Sequence, residues 1–249
     1  LVSTPDDFGV YGARPSHPLL LDDLADSFVR DGWSVKRLIR RIVLSRTYGL
    51  SSDCDRVTRQ ADPDNVLLAR MSRRRLDAES LRDSMLRVSG QADLSPGLGS
   101  AIEGIDQLIN WPPGQATDLH RPSNHRSVYL CFLRHAPPKE LAAFDLPDGV
   151  AVKGSRDVTT RPTQALFLLN NDFVVAQSFA LSRRVLAQPI RLTRDRVRVM
   201  IECVLCRDAD ESEIESAIRL VEQANAELID RGSDQETASV SAWAMLAQA

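Results

Sequence analysis

The chain predicts a mainly α fold, an irregular multi-helix domain with αα-hairpins and at most a small β element near residues 127–134. Three observations lead there. Apolar residues recur at helical spacing through most of the sequence, as in Val35, Leu38, Ile39, Ile42 and Val43, which puts them on one face at 3.6 residues per turn. Helix punctuation stands at the ends of such runs: Ser34 before one, Pro18 and Pro162 in the first turns of others, Gly32 and Gly90 after two. Only Ser127 to Arg134 reads as a strand, apolar on both faces and so buried, with Val150-Ala151-Val152 as a weak partner.

In chain order, the first helix takes Ser16 as its cap and Pro18 in its first turn. It carries the stripe Leu20, Leu24, Phe28 and stops at Gly32. Ser34 caps the second, whose Arg37, Arg40 and Arg41 face solvent. The short link makes the two an αα-hairpin. Residues 51–62 are polar and loop-like. A third helical region runs from Pro63 to Met71 and a fourth from Arg73 to Gly90. On the fourth, Leu81, Met85 and Val88 share a face, Asp77 lies at its edge, and Glu79, Arg82 and Asp83 point to the other side.

Residues 95–123 are dense in glycine and proline, as in a loop or variable insertion. They part an N-terminal helical stretch, 1–94, from a C-terminal one, 124–249, in what reads as one continuous domain. A helix begins at Pro162, with Thr159 or Thr160 near its cap, and is interrupted at Asn170-Asn171-Asp172. Further helices follow over about 190–206 and 210–231, and one starts near 235. Leu1 opens no basic-then-apolar leader, and the chain stops inside the apolar run Ala242 to Leu246. The 249 residues therefore read as a segment of a larger protein.

Composition narrows the function. A net charge of −3 gives no pull toward nucleic acid. No apolar run approaches the roughly 20 residues of a membrane span. Lys36, Lys139 and Lys153 are the only lysines beside many arginines, a bias that genome base composition explains. Cys203 and Cys206 form a CxxC, but Arg207 stands where haem attachment needs histidine, and no second CxxC or paired histidines complete a zinc site. The pair is expected to be reduced core thiols holding no metal. His17, His120, His125 and His135 lack ligand-like spacing, and no phosphate loop, dinucleotide fingerprint or nucleophile elbow occurs. No catalytic residue, metal site or cofactor is assigned to this chain. The polar residues that stand out are Arg75, Asp77, His125, Arg126, Arg156 and Gln164, each beside a helix end or the expected strand. Asp77 is expected to be buried and bonded to Arg126 or Arg156.

Several stretches carry a resemblance. They are Thr4-Pro5-Asp6-Asp7-Phe8-Gly9, Pro15-Ser16-His17-Pro18-Leu19-Leu20, Asp31-Gly32-Trp33-Ser34, Asp62-Pro63-Asp64-Asn65, Arg73-Arg74-Arg75-Leu76-Asp77-Ala78-Glu79, Asn124-His125-Arg126-Ser127-Val128-Tyr129-Leu130 and Pro162-Thr163-Gln164-Ala165-Leu166-Phe167. In this order they resemble the planctomycete cytochrome-associated C-terminal domain, a domain of unknown function. That resemblance implies an exported, extracytoplasmic or cell-surface multidomain bacterial protein. This domain would follow a cytochrome c-like domain, which would carry the haem, and a second uncharacterised domain. These upstream domains would be its partners, with polysaccharide a further one. The role implied is auxiliary or structural; the alternative is an enzyme of polysaccharide breakdown or of oxidoreduction fed by the cytochrome. Leu19, Arg161 and Cys206 depart from the pattern, Leu19 from an acidic residue, Arg161 from a smaller one and Cys206 from a glycine.

Overall fold

The computed structural model describes residues 1–7, 9–97, 122–132, 138–147 and 154–249. The chain is mainly α, as its periodicity predicts. The helices are α1 (Pro18–Arg30), α2 (Val35–Val43), α3 (Arg56–Ala61), α4 (Ala78–Ser89), α5 (Lys139–Ala142), α6 (Pro162–Asn170), α7 (Asp172–Leu186), α8 (Thr193–Leu205), α9 (Glu211–Asp230) and α10 (Gln235–Gln248). Among the described residues no strand forms, and one parallel bridge joins Asp93 to His125. No single described helix is long and apolar enough to cross a membrane; α6 and α7 together have the composition but bend by 52° at their junction.

Among the described helices, aspartate supplies four of the six starts that a side chain caps. Asp55, Asp77, Asp210 and Asp234 each accept from the backbone N–H three residues on, opening α3, α4, α9 and α10. Ser34 does this for α2, and Asn171 breaks α6 from α7 and caps the latter. Such a cap satisfies one of the donors a helix leaves open and is worth about 1 kcal/mol. Ser16, expected to cap α1, does not. The cap position falls to His17 without a side-chain bond, and the Ser16 hydroxyl instead contacts the Leu1 carbonyl and His17 Nδ1.

The described chain divides into two units: Leu1–Arg75 with Ala151–Arg156, and Leu76–Val150 with Asp157–Ala249. In the first, α1 and α2 form the expected hairpin. Gly32, at φ +69°, turns the chain in the left-handed region, and Phe28 and Trp33 meet edge to face at 5.4 Å. Arg41 pairs with Asp23 at 2.8 Å and donates to Ser27. The α2 stripe was expected to pack inward, yet Val35 is 60% and Ile39 54% exposed, and Ile42 and Val43 are exposed too. The helix expected over Pro63–Met71 is absent and lies earlier, as α3. Asp62 explains the difference, because its carboxylate accepts from the N–H groups of Val66 and Leu67, folding the chain into a loop. Asn65 and Leu68, both at positive φ, continue that loop.

The second unit holds the apolar core. Leu181, Val185, Val197, Met200, Ile214, Val221 and Trp243 bring α7, α8, α9 and α10 together. Buried alanines on α10 (Ala238, Ala242 and Ala244) let that helix approach α7 and α9 closely. A second cluster joins Ala78, Leu141 and Phe144, with Phe167 edge to face on Phe144 at 5.4 Å. The helix expected from Arg73 begins only at Ala78, after its Asp77 cap, and ends at Gly90 in the left-handed conformation.

Candidate functional site

The polar centre of the second unit is Arg82. It lies on α4 one turn after Ala78 and one turn before Leu86, on a face whose four buried residues are Ala78, Arg82, Leu86 and Ser89. The sequence reading turned this residue to the side away from the apolar face, whereas it is 4% exposed. The face of α4 next to that of Leu81 and Met85, about a quarter turn round the helix, is therefore also interior. Arg82 donates to the carbonyls of His125 (2.9 Å) and Ser123, and to the Ser127 hydroxyl at 3.3 Å. Its guanidinium stands 5.2 Å from the Phe173 ring centre, a cation–π distance. Burial holds it below the usual arginine range, and the nearby carboxylates of Glu140 and Asp83 oppose that shift.

Asp83 completes the clamp. One oxygen accepts from both the N–H and the hydroxyl of Ser127, each at 2.7 Å. The other faces Arg126 Nε at 3.7 Å. This clamp is why the expected strand over 127–134 is not formed among the described residues. Ser127–Tyr129 is a single 3-10 turn, and the N–H and hydroxyl of Ser127 are met by α4 side chains rather than by a neighbouring strand. Residues 133–137 and 148–153 lie outside the described set, as do 98–121 of the expected insertion.

The six residues singled out from sequence fall as follows. Asp77 caps α4, accepting from Ser80 N–H at 2.7 Å; it is exposed, so the expected burial is wrong. A first-turn carboxylate gains from solvent and helix dipole without entering the core. Gln164 is buried and accepts from Arg161 N–H at 3.4 Å. That is half of a capping box, because an arginine side chain offers no acceptor for the other half. His125 Nδ1 lies 3.4 Å from Asp93 Oδ2, too poorly aligned for a hydrogen bond, so the contact is an attraction only while the ring is protonated. Arg126 faces Asp83. Arg75 and Arg156 are exposed and belong to the first unit. The structure thus brings His125 and Arg126 to the Arg82–Asp83 clamp, which sequence reasoning missed. The available signal was the four-residue spacing Ala78, Arg82, Leu86.

The first unit has its own polar feature, a depression of about 350 Å³ lined by Arg59, Arg70, Arg73 and Asp64 among others. Most of its charge is engaged: Arg70 donates to the carbonyls of Asp62 and Pro63, and Arg73 pairs with Asp53 at 2.6 Å. The Leu67 N–H, with Val66 and Arg70, holds the Asp62 carboxyl below its usual range against its partial burial. The CxxC pair is not a core pair. Both thiols are free, Cys203 is half-buried and Cys206 exposed. Cys206 ends α8 at φ +51°, outside the packed turns. Among the described residues no group of three or more His, Cys, Asp or Glu is placed to hold a metal ion.

A family model, PSD1, described as a protein of unknown function (DUF1553), matches residues 1–221. No curated protein and no solved structure matches the chain.

Proposed function

The chain belongs to the PSD1 family of proteins of unknown function (DUF1553), and we propose that it serves as an auxiliary helical domain of an exported, cytochrome-linked multidomain bacterial protein. In this reading it docks on the other domains of the same polypeptide, and haem sits on one of those. One observation carries it: the first unit turns its apolar helix stripe outward. Trp33, Val35, Ile39, Ile42, Val43 and Leu44 are all exposed, and contiguous apolar surface of that kind marks interaction sites. Lys36, Arg37 and Arg40 flank the stripe, so the surface that covers it carries an acidic rim. The non-catalytic part of the reading is supported by how the polar side chains are spent. Asp77 and Gln164 bond to helix-end backbone, while Arg82 and Asp83 bond to the 123–127 segment.

Hydrogen exchange tests it, comparing this chain alone with the longer natural polypeptide. Residues 35–44 are expected to exchange more slowly in the longer protein, and Ile39→Asp to abolish that protection while leaving the second unit unchanged. Equal exchange in both forms would overturn the docking. A longer protein without covalent haem, or one recovered wholly from the cytoplasm, would overturn the cytochrome-linked and exported parts.

A further inference from the structure

The second unit contains a pocket of about 200 Å³ at the seam between its two apolar clusters, walled by Leu81, Met85 and Val88 of α4 and Val174, Gln177 and Leu181 of α7. We propose that this pocket binds a small, neutral, largely apolar molecule of about single-ring size that carries one hydrogen-bond-accepting oxygen, and that Gln177 reads that oxygen.

Size comes first. Protein interiors rarely leave voids larger than a water molecule, and an apolar cavity of about 150 Å³ stays dry and takes up benzene. The volume here is somewhat larger, enough for a ring with a short substituent. The walls are the primary apolar stripe of α4. Leu81, Met85 and Val88 are only half-buried, while Ala78 and Leu86 on the neighbouring face are 1% exposed. The helix thus keeps its stronger hydrophobic face for the pocket. Met85 adds a flexible, polarizable wall that adapts to different shapes.

Charge excludes much. No lining residue is ionisable, and an ion brought into such a site would lose its hydration without a counter-charge. The polar handle is Gln177, itself 9% exposed. Its Oε1 accepts from the Ser89 hydroxyl at 2.7 Å, and among the described residues its amide nitrogen makes no hydrogen bond. Gln248, also on the pocket wall, has a buried Nε2 without an acceptor. A buried donor such as that of Gln248 is normally satisfied, and with the Gln177 nitrogen also unbonded the group this wall lacks is an acceptor.

The test uses three probes on the whole chain: acetophenone, which fits and accepts; ethylbenzene, close in shape without the acceptor; and benzoate, which is charged. Side-chain amide and methyl NMR shifts are followed by titration. Acetophenone is expected to shift the Gln177 amide and Met85 methyl saturably, to bind more tightly than ethylbenzene, and to leave benzoate without a saturable effect. Gln177→Leu should weaken acetophenone by roughly tenfold, the scale of one hydrogen bond, and leave ethylbenzene unchanged. Ser84→Phe plugs the mouth from an exposed position, so it spares the fold, checked by circular dichroism, and should abolish both. Absence of saturable shifts for both neutral probes, or binding that survives Ser84→Phe, would overturn the site. Equal loss of both probes in Gln177→Leu would overturn the role of Gln177.

Discussion

The two units bury opposite chemistry. Among the described residues of the first, the buried positions are Ser27, Asp62 and Asn65, all polar, while its largest apolar side chains face outward. The second buries Leu86, Leu141, Val185, Val197, Met200, Ile214 and Trp243, and Arg82, the one deeply buried charge among its described residues, is bonded to backbone carbonyls. Burial of apolar area is the main source of stability. The second unit therefore has the means to hold itself together, and the first is held by loops wrapped on Asp62 and Asn65 and by a hairpin of two helices. Arginine plays a different part in each. Arg82 is a buried brace, and Arg41 is a surface tie to Asp23.

That contrast is sharpest if both arginines are removed. Arg82→Ala leaves the Ser123 and His125 carbonyls without their donor and removes the charge beside Asp83 and Glu140, and is expected to cost roughly 3–5 kcal/mol. Arg41→Ala removes a pair whose side chains are about half exposed and should cost less than about 1 kcal/mol. Urea melts followed by far-ultraviolet circular dichroism measure both. Equal costs would break the comparison, because Arg82 would then be no more embedded than a surface ion pair.

The apolar side chains give a second, somewhat smaller contrast. Met200 is 1% exposed in the α7–α10 core and Ile39 is 54% exposed on α2. Met200→Ala should cost about 2–5 kcal/mol through lost contacts and a residual cavity. Ile39→Ala in this chain should fall within about 0.5 kcal/mol of no change. A cost for Ile39→Ala near that of Met200→Ala would show the α2 stripe to be covered in solution, and the outward-facing surface behind the docking proposal would disappear.

What was legible in the sequence follows the range of the interactions. Caps and periodicity act within a few residues, so Ser34, Asn171 and Gly90 mark helix ends correctly, and the order of α6 to α10 could be read directly. Errors arose where a side chain bonds backbone in place of regular structure. Asp62 takes the N–H groups of Val66 and Leu67, which turns an apolar-looking 63–71 into a loop. Val128 to Phe132 has the composition of a buried strand, but Arg82 and Asp83, more than forty residues away in sequence, bond the segment that leads into it, at Ser123, His125 and Ser127. The candidate residues His125 and Arg126 were found because they sit beside this junction. Arg82 was missed because an arginine at helical spacing reads as solvent-facing unless both faces of its helix are known to be packed. The α2 stripe was recognised, but periodicity alone cannot tell a face that packs within the chain from one turned outward.

One departure noted in the sequence acquires a physical reason. Cys206 stands where a glycine is common in the resembled family, and it ends α8 in the left-handed region at φ +51°. A side chain there meets the following carbonyl, at a cost of about 1 kcal/mol that glycine avoids. Cys206→Gly is expected to raise the stability of the second unit by about 1 kcal/mol in a urea melt. The corresponding turn of the first unit already has glycine at Gly32, so Gly32→Ala should act in the opposite sense. A neutral or destabilising Cys206→Gly would mean that the exposed thiol makes a contribution the backbone argument leaves out.

The smallest effect distinguishes how each unit holds a carboxylate. Arg207 binds Glu213 at the start of α9 and, with the Asp210 backbone N–H, brings its pKa down from 4.5 to about 2. A pKa depressed on folding gives stability that is fully present above the unfolded value, near 4.5, and is lost as pH falls through about 2. Asp62 in the first unit is shifted the same way, chiefly by backbone N–H groups, so acid weakens both units. The causes separate under salt. The Arg207–Glu213 pair is exposed to a moving ion atmosphere and fades as ionic strength rises, whereas the backbone hydrogen bonds to Asp62 are short-range and persist. Hydrogen exchange between pH 5 and 2.5 should therefore show acid sensitivity near α9 that shrinks in 1 M salt, where the screening length is about 3 Å, and acid sensitivity around 62–68 that does not. Glu213→Gln should remove the first and Asp62→Asn the second. If salt suppresses both equally, Asp62 is held by charge rather than by the backbone, and the two units no longer differ in how they hold a carboxylate.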